Sequence, residues 1–455
     1  MTHVGSTQRR RGISRRGFLR GLGLGLGLGL GLGLGTAALG PRRGLGQEEP
    51  IKVGVLTPLL FNFPLGQATV RGAFIAQDEI NATDEKVLGR SLTVEGLVRD
   101  TQFDPRIAPR RFEELAEEQG VLAVVGGFLD ETTLPVLSVL PRVRTVFLNT
   151  GTATPETTQR VKEDYENFKY YFRIMLDTDV LTEDTVTMAR GTLQAELGVE
   201  RVALVCEDGQ FGRDFKSFLE QKLPEGGIEV VASTLFPPSG NFDFSGVLSQ
   251  AEQSGAQAFV VAFIRRNGFG FVRQWHDQGP RLPVVGINVT GQAFEYFAQT
   301  EGKVLSHVYA DAATGATAVT ERTLPFFNAY VSRFTTPPVQ PLFTSYTTYD
   351  ALYVLKQAVE ILGDPPPPSG SNEYRQYREE LVAAIEQVDW VGTVGRIRFQ
   401  GPDDEKPHDP IVRDEEGNPL VVPKWVQWQV DAEGNPDRKV VWPPEFKNSE
   451  FLPPP

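Results

Sequence analysis

From Ile51 onward, apolar runs of strand length alternate with amphipathic stretches of helix length, and this rhythm constrains the fold more than any other feature of the chain. Strand-like runs fall at 51–56, 92–98, 121–125, 145–148, 201–206, 228–234, 258–262 and 284–286. Helical patterns lie between them at 67–81, 105–118, 132–140, 183–197, 213–223, 244–254 and 269–278. A repeated βα unit of this kind predicts a parallel sheet covered by helices on both faces. About eight such strands exceed one comfortable sheet. A fresh βα series begins at 177–179, after Tyr171-Phe172-Arg173-Ile174. The expected fold is therefore α/β, with two doubly wound parallel-sheet lobes. After Val308 the pattern turns to helices at 321–334, 347–362 and 374–388, followed by β-like runs at 395–399 and 425–430. A proline-rich loop at 365–370 reads as surface, 401–423 is a polar excursion rich in Asp, Glu and Pro, and 451–455 reads as a frayed end.

The formal charge is −13 over 455 residues, although six arginines and no acids lie within the first 40. Setting that segment aside leaves about −19, a surface that repels nucleic acid and anionic lipid. Cys206 is the single cysteine, which excludes an intramolecular disulfide and any cysteine cluster for zinc or iron.

Ser14-Arg15-Arg16-Gly17-Phe18-Leu19-Arg20, a Gly-Leu alternation over 21–35 and small residues at 36–40 resemble a twin-arginine export signal. Arg15 and Arg16 are the expected signal pair, and cleavage is expected between 38 and 46. The apolar run is shorter than the ~20 residues of a spanning helix and half of it is glycine, so stable membrane insertion is not expected. A periplasmic or extracellular location and the twin-arginine translocase as a transient partner follow.

The usual catalytic constellations are missing from the sequence. His3, His276, His307 and His408 form no metal-binding spacing, and there is no phosphate loop, dinucleotide fingerprint or nucleophile elbow. No catalytic residue, metal or cofactor is therefore expected, and the chain does not read as an enzyme.

Several strings taken in order resemble the type I periplasmic solute-binding proteins, in particular the leucine/isoleucine/valine-binding receptors of ABC transporters. They are Ile51-Lys-Val-Gly-Val-Leu-Thr-Pro-Leu59, Gly72-Ala-Phe-Ile-Ala-Gln-Asp-Glu-Ile-Asn81, Asp100-Thr-Gln-Phe-Asp104-Pro105, Val124-Val-Gly-Gly127, Asn149-Thr-Gly-Thr-Ala-Thr-Pro155, Phe172-Arg173, Arg201-Val-Ala-Leu-Val205 with Gln210-Phe211-Gly212, and Tyr349-Asp350-Ala351. The resemblance implies two lobes joined by a multi-strand hinge. The expected division is a leader and linker over 1–46, lobe 1 over 47–174 and 309–390, lobe 2 over 175–308 and 391–445, and a flexible tail over 446–455. It also implies a small-molecule ligand, an amino acid, amide or aromatic acid, held between closing lobes and passed to the permease subunits of an ABC importer. The same lobes could instead serve a membrane kinase or chemoreceptor, and an exported enzyme is a further alternative.

The resemblance places ligand contacts in two loops of lobe 1, Leu129-Asp-Glu-Thr-Thr133 and Thr150-Gly-Thr-Ala-Thr154. Thr132, Thr150, Gly151, Thr152 and Thr154 are the expected donors there. Asp130 stands where the family places a serine, and either caps its helix or meets the ligand. In lobe 2 the resemblance points to Phe211 as a ring against the ligand and to Asn288 where the family uses a glutamate for an ammonium group. Arg265, interchangeable with Arg266 across a one-residue gap, reads as a solvated strand end or as a partner of Asp130 or of a ligand carboxylate. Phe63, with Phe61 and Leu65, is expected to form an apolar lip at the entrance. An aspartate gained at 130 and a charge missing at 288 both disfavour free leucine, isoleucine and valine.

Overall fold

In the first sheet, Val53, Val55, Val124, Val125, Phe147 and Leu148 are buried on both faces, as strands sandwiched between helical layers require. The computed structural model describes residues 49–293, 295–311, 317–334, 341–421 and 423–454. The expected signal pair Arg15 and Arg16 lies outside them. The first sheet comprises β1 (Ile51–Thr57), β2 (Leu92–Thr93), β3 (Val98–Asp100), β4 (Ala123–Gly126), β5 (Val146–Asn149) and β6 (Tyr171–Arg173). Its order is β2-β1-β4-β5-β6, with β3 also on β1, and every pairing is parallel. The single run expected at 92–98 divides into β2 and β3 around Gly96, whose φ of +75° turns the chain.

The second sheet runs β15-β14-β11-β10-β9-β7-β8, from β7 (Arg201–Glu207), β8 (Glu229–Phe236), β9 (Ala258–Phe263), β10 (Val284–Asn288), β11 (Val308–Asp311), β14 (Lys424–Val430) and β15 (Pro436–Trp442). Five of these strands are parallel, but β14 joins β11 antiparallel and β15 folds back on β14. The parallel sheet thus carries an antiparallel hairpin at its edge. The hairpin is made by Asp431, whose Oδ1 accepts the N–H groups of Glu433 and Asn435 at 3.0 and 2.8 Å. A separate two-stranded ribbon pairs β12 (Trp390–Val391) with β13 (Arg396–Ile397).

The helices Thr323–Arg333, Phe343–Leu362 and Asn372–Glu386 return to lobe 1, where Phe326, Tyr346, Leu352 and Leu381 join the core of the first sheet. The helix Phe343–Leu362 crosses Pro64–Ala82 closely at Gly72, where a Cβ would lie 2.2 Å from the Ser345 carbonyl oxygen. Two lobe boundaries differ from expectation. β11 extends to Asp311 within the second sheet, and Ile397 and Phe399 still belong to the lobe 1 core, so the last return to lobe 2 comes at β14 and not at 391.

The polar excursion at 401–423 packs onto the rest of the chain. Its His408 ring stacks on Phe172 at 3.9 Å, and Asp409 meets Arg173 at 2.6 Å, both pairs buried. Lys406 binds Asp177 and Asp179, which flank the start of the helix Thr178–Met188. The excursion therefore straps the first crossover between lobes. The expected frayed end is ordered at least through Leu452. Phe451 is buried in an apolar cluster, and Gln427 exchanges hydrogen bonds of 2.7 and 2.8 Å with the Leu452 backbone. No helix among the described residues is long and apolar enough to cross a membrane.

Candidate functional site

In each sheet the strand order reverses beside its first strand, at β1/β4 in lobe 1 and β7/β9 in lobe 2, and loops beyond such a switch leave a crevice at the carboxyl ends of the strands. A cleft of about 790 Å³, counting its open mouth, occupies that place. Lobe 1 contributes Phe128 to Glu131, Gly151, Ala153 and Phe343; lobe 2 contributes Phe211, Ile264, Arg265, Ile287 and Gln292 among others. One apolar cluster runs through both sides, joining Phe128, Leu129 and Phe343 to Leu204, Val260 and Ile287, so the lobes pack against each other.

Asp130 is the first residue of the helix Asp130–Leu137, whose N-cap is Leu129. Its side chain does not cap that helix. Oδ1 instead accepts the N–H groups of Ala153 and Thr154 at 3.0 and 3.1 Å, binding the second loop to the first. Oδ2 is buried without a partner, and the residue is 3% exposed. Burial pushes its carboxyl up to about 7, helped by the neighbouring Glu131 and opposed by the two N–H groups and Arg173.

The expected threonine hydroxyls bond within the protein, three of them inside lobe 1, and none of these threonines lines the cleft. Thr132 donates to the Leu129 carbonyl at 2.9 Å, and Thr152 pairs with Thr133 at 2.7 Å. Thr150 accepts from Thr348 at 3.1 Å, while Thr154 reaches across to Asp214 of lobe 2 at 3.4 Å. Buried Arg173 fixes the same loop by donating to the carbonyls of Thr152 and Thr154 at 3.2 and 2.9 Å. Its guanidinium is held charged by Asp409 against desolvation. What the loop presents to the cleft is Gly151 and Ala153.

In lobe 2, Arg265 lines the cleft, whereas Arg266 lies over the Phe269 ring, 6.0 Å from its centroid. The expected pairing of Arg265 with Asp130 is not found. Its guanidinium bonds the buried carboxylate of Glu207, whose other oxygen accepts the Arg265 backbone N–H at 2.9 Å. Burial raises the Glu207 carboxyl and Arg265 opposes the rise. Glu131 approaches from lobe 1: its Oε1 accepts the N–H of Gln210 at 3.0 Å and lies 3.8 Å from Arg265. Gln210 opens the helix Gln210–Glu225, so this carboxylate sits at a helix N-terminus of the opposite lobe. Gly209 makes the approach possible, since a Cβ there would meet Glu131 Oε1 at 2.8 Å.

Phe211 lines the cleft and stacks on Phe215 with ring centroids 5.4 Å apart. Asn288 does not line it: its amide donates to the Tyr296 hydroxyl at 3.0 Å and accepts from Thr290 and Gly291. The amide serves the strand end. Phe63 is buried edge-on against Phe103, with centroids 5.0 Å apart, and Leu65 is buried in the same cluster. Phe61 alone of the expected lip is exposed, at 87%. Residues without a sequence signal complete the wall, notably Glu131, Met175, Leu181 and Gln292. Gln292 is 5% exposed and its Oε1, like Asp130 Oδ2, is buried without a partner.

A family model described as a periplasmic binding protein matches residues 50–412. A Leu/Ile/Val-binding protein homolog of Brucella abortus is 24% identical over 270 residues, 58% of this chain and 63% of that protein, so the chain spans under two thirds of that relative's length. An ABC transporter substrate-binding protein from Sphaerobacter thermophilus superposes with a TM-score of 0.69 at 20% identity, over 88% of this chain and 99% of the other. A solute-binding protein of an ABC transporter from Rhodopseudomonas palustris, in complex with 3,4-dihydroxy benzoic acid, gives 0.67 at 18% identity over 89% and 99%. These structural likenesses carry the fold.

Proposed function

The chain belongs to the periplasmic binding protein family, and from that premise we propose that it is an exported receptor that captures a small organic solute between its lobes and delivers it to the permease of an ABC importer. The observation that carries this reading is a largely apolar cleft walled from both lobes at their switch points. A solute touching both walls binds the closed form better than the open one and shifts the hinge equilibrium toward closure. The closed surface is then what a permease recognises. The ABC-transporter partners in this reading come from the relatives, whose names state that role for them. Export through the twin-arginine pathway rests on the Ser14 to Arg20 string and the apolar run after it.

Native mass spectrometry of gently purified protein tests the reading. An adduct of a few hundred daltons or less, lost on denaturation, is expected, together with solute uptake by intact cells that depends on this protein and its permease. Turnover of the bound molecule by the purified protein refutes the receptor role.

A further inference from the structure

The cleft is asymmetric in what it offers a ligand. Its wall has aromatic and aliphatic side chains for an apolar body, among them Phe128, Phe211 and Phe343. Among the described residues of its wall, the buried side-chain atoms without a hydrogen-bond partner are Asp130 Oδ2 and Gln292 Oε1, both acceptors. Among the described lining residues the cation is Arg265, and it is already engaged by buried Glu207 and faces Glu131 at 3.8 Å. An added carboxylate would therefore meet two acidic side chains in the wall, Asp130 and Glu131, and a guanidinium already engaged by Glu207. A buried carboxylate oxygen without a donor is costly, and an ionised one is most improved by a cation at hydrogen-bond distance.

Resting on the receptor reading above, we propose that the solute is an apolar amine without a carboxylate, whose ammonium group is received by Asp130 with Gln292 as a second acceptor. Asp130 is well placed for this role because Ala153 and Thr154 hold its other oxygen, so the carboxylate is oriented before the ligand arrives. The charged groups acting on it are Glu131 on its own helix and Arg173 from β6, with the Tyr171 hydroxyl also near. Arg173 is committed to Asp409, and Asp130 Oδ2 has no hydrogen-bond donor from the protein. This selection is opposite in sign to that of a site built for benzoates, and it drops the zwitterion requirement of an amino-acid site.

Isothermal calorimetry of the whole mature protein, stripped of any co-purified molecule by reversible unfolding, tests the assignment with isopentylamine and 2-phenylethylamine against isovaleramide, isovalerate and leucine. The amines are expected to bind at least about tenfold more tightly than the amide, with isovalerate and leucine weakest. Asp130→Asn keeps an acceptor for the Ala153 and Thr154 N–H groups and should abolish the preference for amine over amide. Gln292→Leu should weaken the amines several-fold even if the first variant does not fold. Tighter binding of leucine, isovalerate or the amide overturns the amine assignment while leaving a loaded receptor. Failure of every probe also overturns it, and the native mass spectrum then decides the receptor reading separately.

Discussion

Glu131→Ala removes a carboxylate that reaches from lobe 1 to the first N–H of the lobe 2 helix Gln210–Glu225. A hydrogen bond to a charged group contributes about 1.5–3 kcal/mol when well buried. Glu131 is 34% exposed and shares Arg265 with Glu207, so solvent screening and competition reduce its part in holding the lobes together to about 1 kcal/mol. That amount multiplies the open-to-closed ratio of the free protein by about five. Glu131→Gln keeps an acceptor for Gln210 and should produce about half the free-energy change. The ratio is measurable by energy transfer between dyes on cysteines introduced at exposed Arg110 in lobe 1 and Gln253 in lobe 2. Cys206 does not compete for the dyes, because it is buried and its thiol is pushed up to about 12. Distance distributions that coincide for wild type, Glu131→Ala and Glu131→Gln would show that this carboxylate does not bias closure, and the argument would fail.

Phe211→Ala should cost about 1–3 kcal/mol of ligand binding in calorimetry, the loss of a buried aromatic contact, and wild-type affinity would assign the ring to packing alone. Stability of the ligand-free protein should fall as pH rises from about 4 to about 7. Asp130, Asp184 and Asp350 have carboxyls raised to about 7 by burial, so the folded state holds protons that the unfolded chain releases near 4. Asp130→Asn should flatten that slope in urea titrations at successive pH values, and an unchanged slope would show that Asp130 is not raised. Arg15→Lys with Arg16→Lys should leave precursor in the cytoplasm, read by fractionation and blotting; normal export and processing would remove the twin-arginine assignment.

The threonine-rich string 150–154 marks the right loop, and the structure brings it to the cleft, but its hydroxyls face Thr133, Thr348 and Asp214 while Gly151 and Ala153 face the cavity. Composition identifies a polar loop without saying which way it turns. Asp130 was singled out by type and position, yet its role in holding the neighbouring loop depends on Ala153 and Thr154 lying within 3.1 Å. Glu131, one residue on, carried no distinguishing signal because its partners are about 80 and 130 positions away, in the other lobe.

By itself the sequence determined the two-lobed α/β architecture, because alternating strand and helix periods leave few other ways to bury apolar residues on both faces of a sheet. The resemblance to the periplasmic solute-binding proteins also pointed to the loops 129–133 and 150–154, parts of which line the cleft. Tertiary structure alone decided the antiparallel edge of β14 and β15, the strap formed by His408 and Asp409 over the first crossover, and the anchoring of Phe451. It also decided that, among the described residues lining the cleft, Asp130 and Gln292 each keep a buried side-chain oxygen without a partner. Periodicity is a local property that a chain carries at every position. Pairing of charges and hydrogen bonds is set by distances between segments far apart in the chain, and those distances exist only after both lobes have packed.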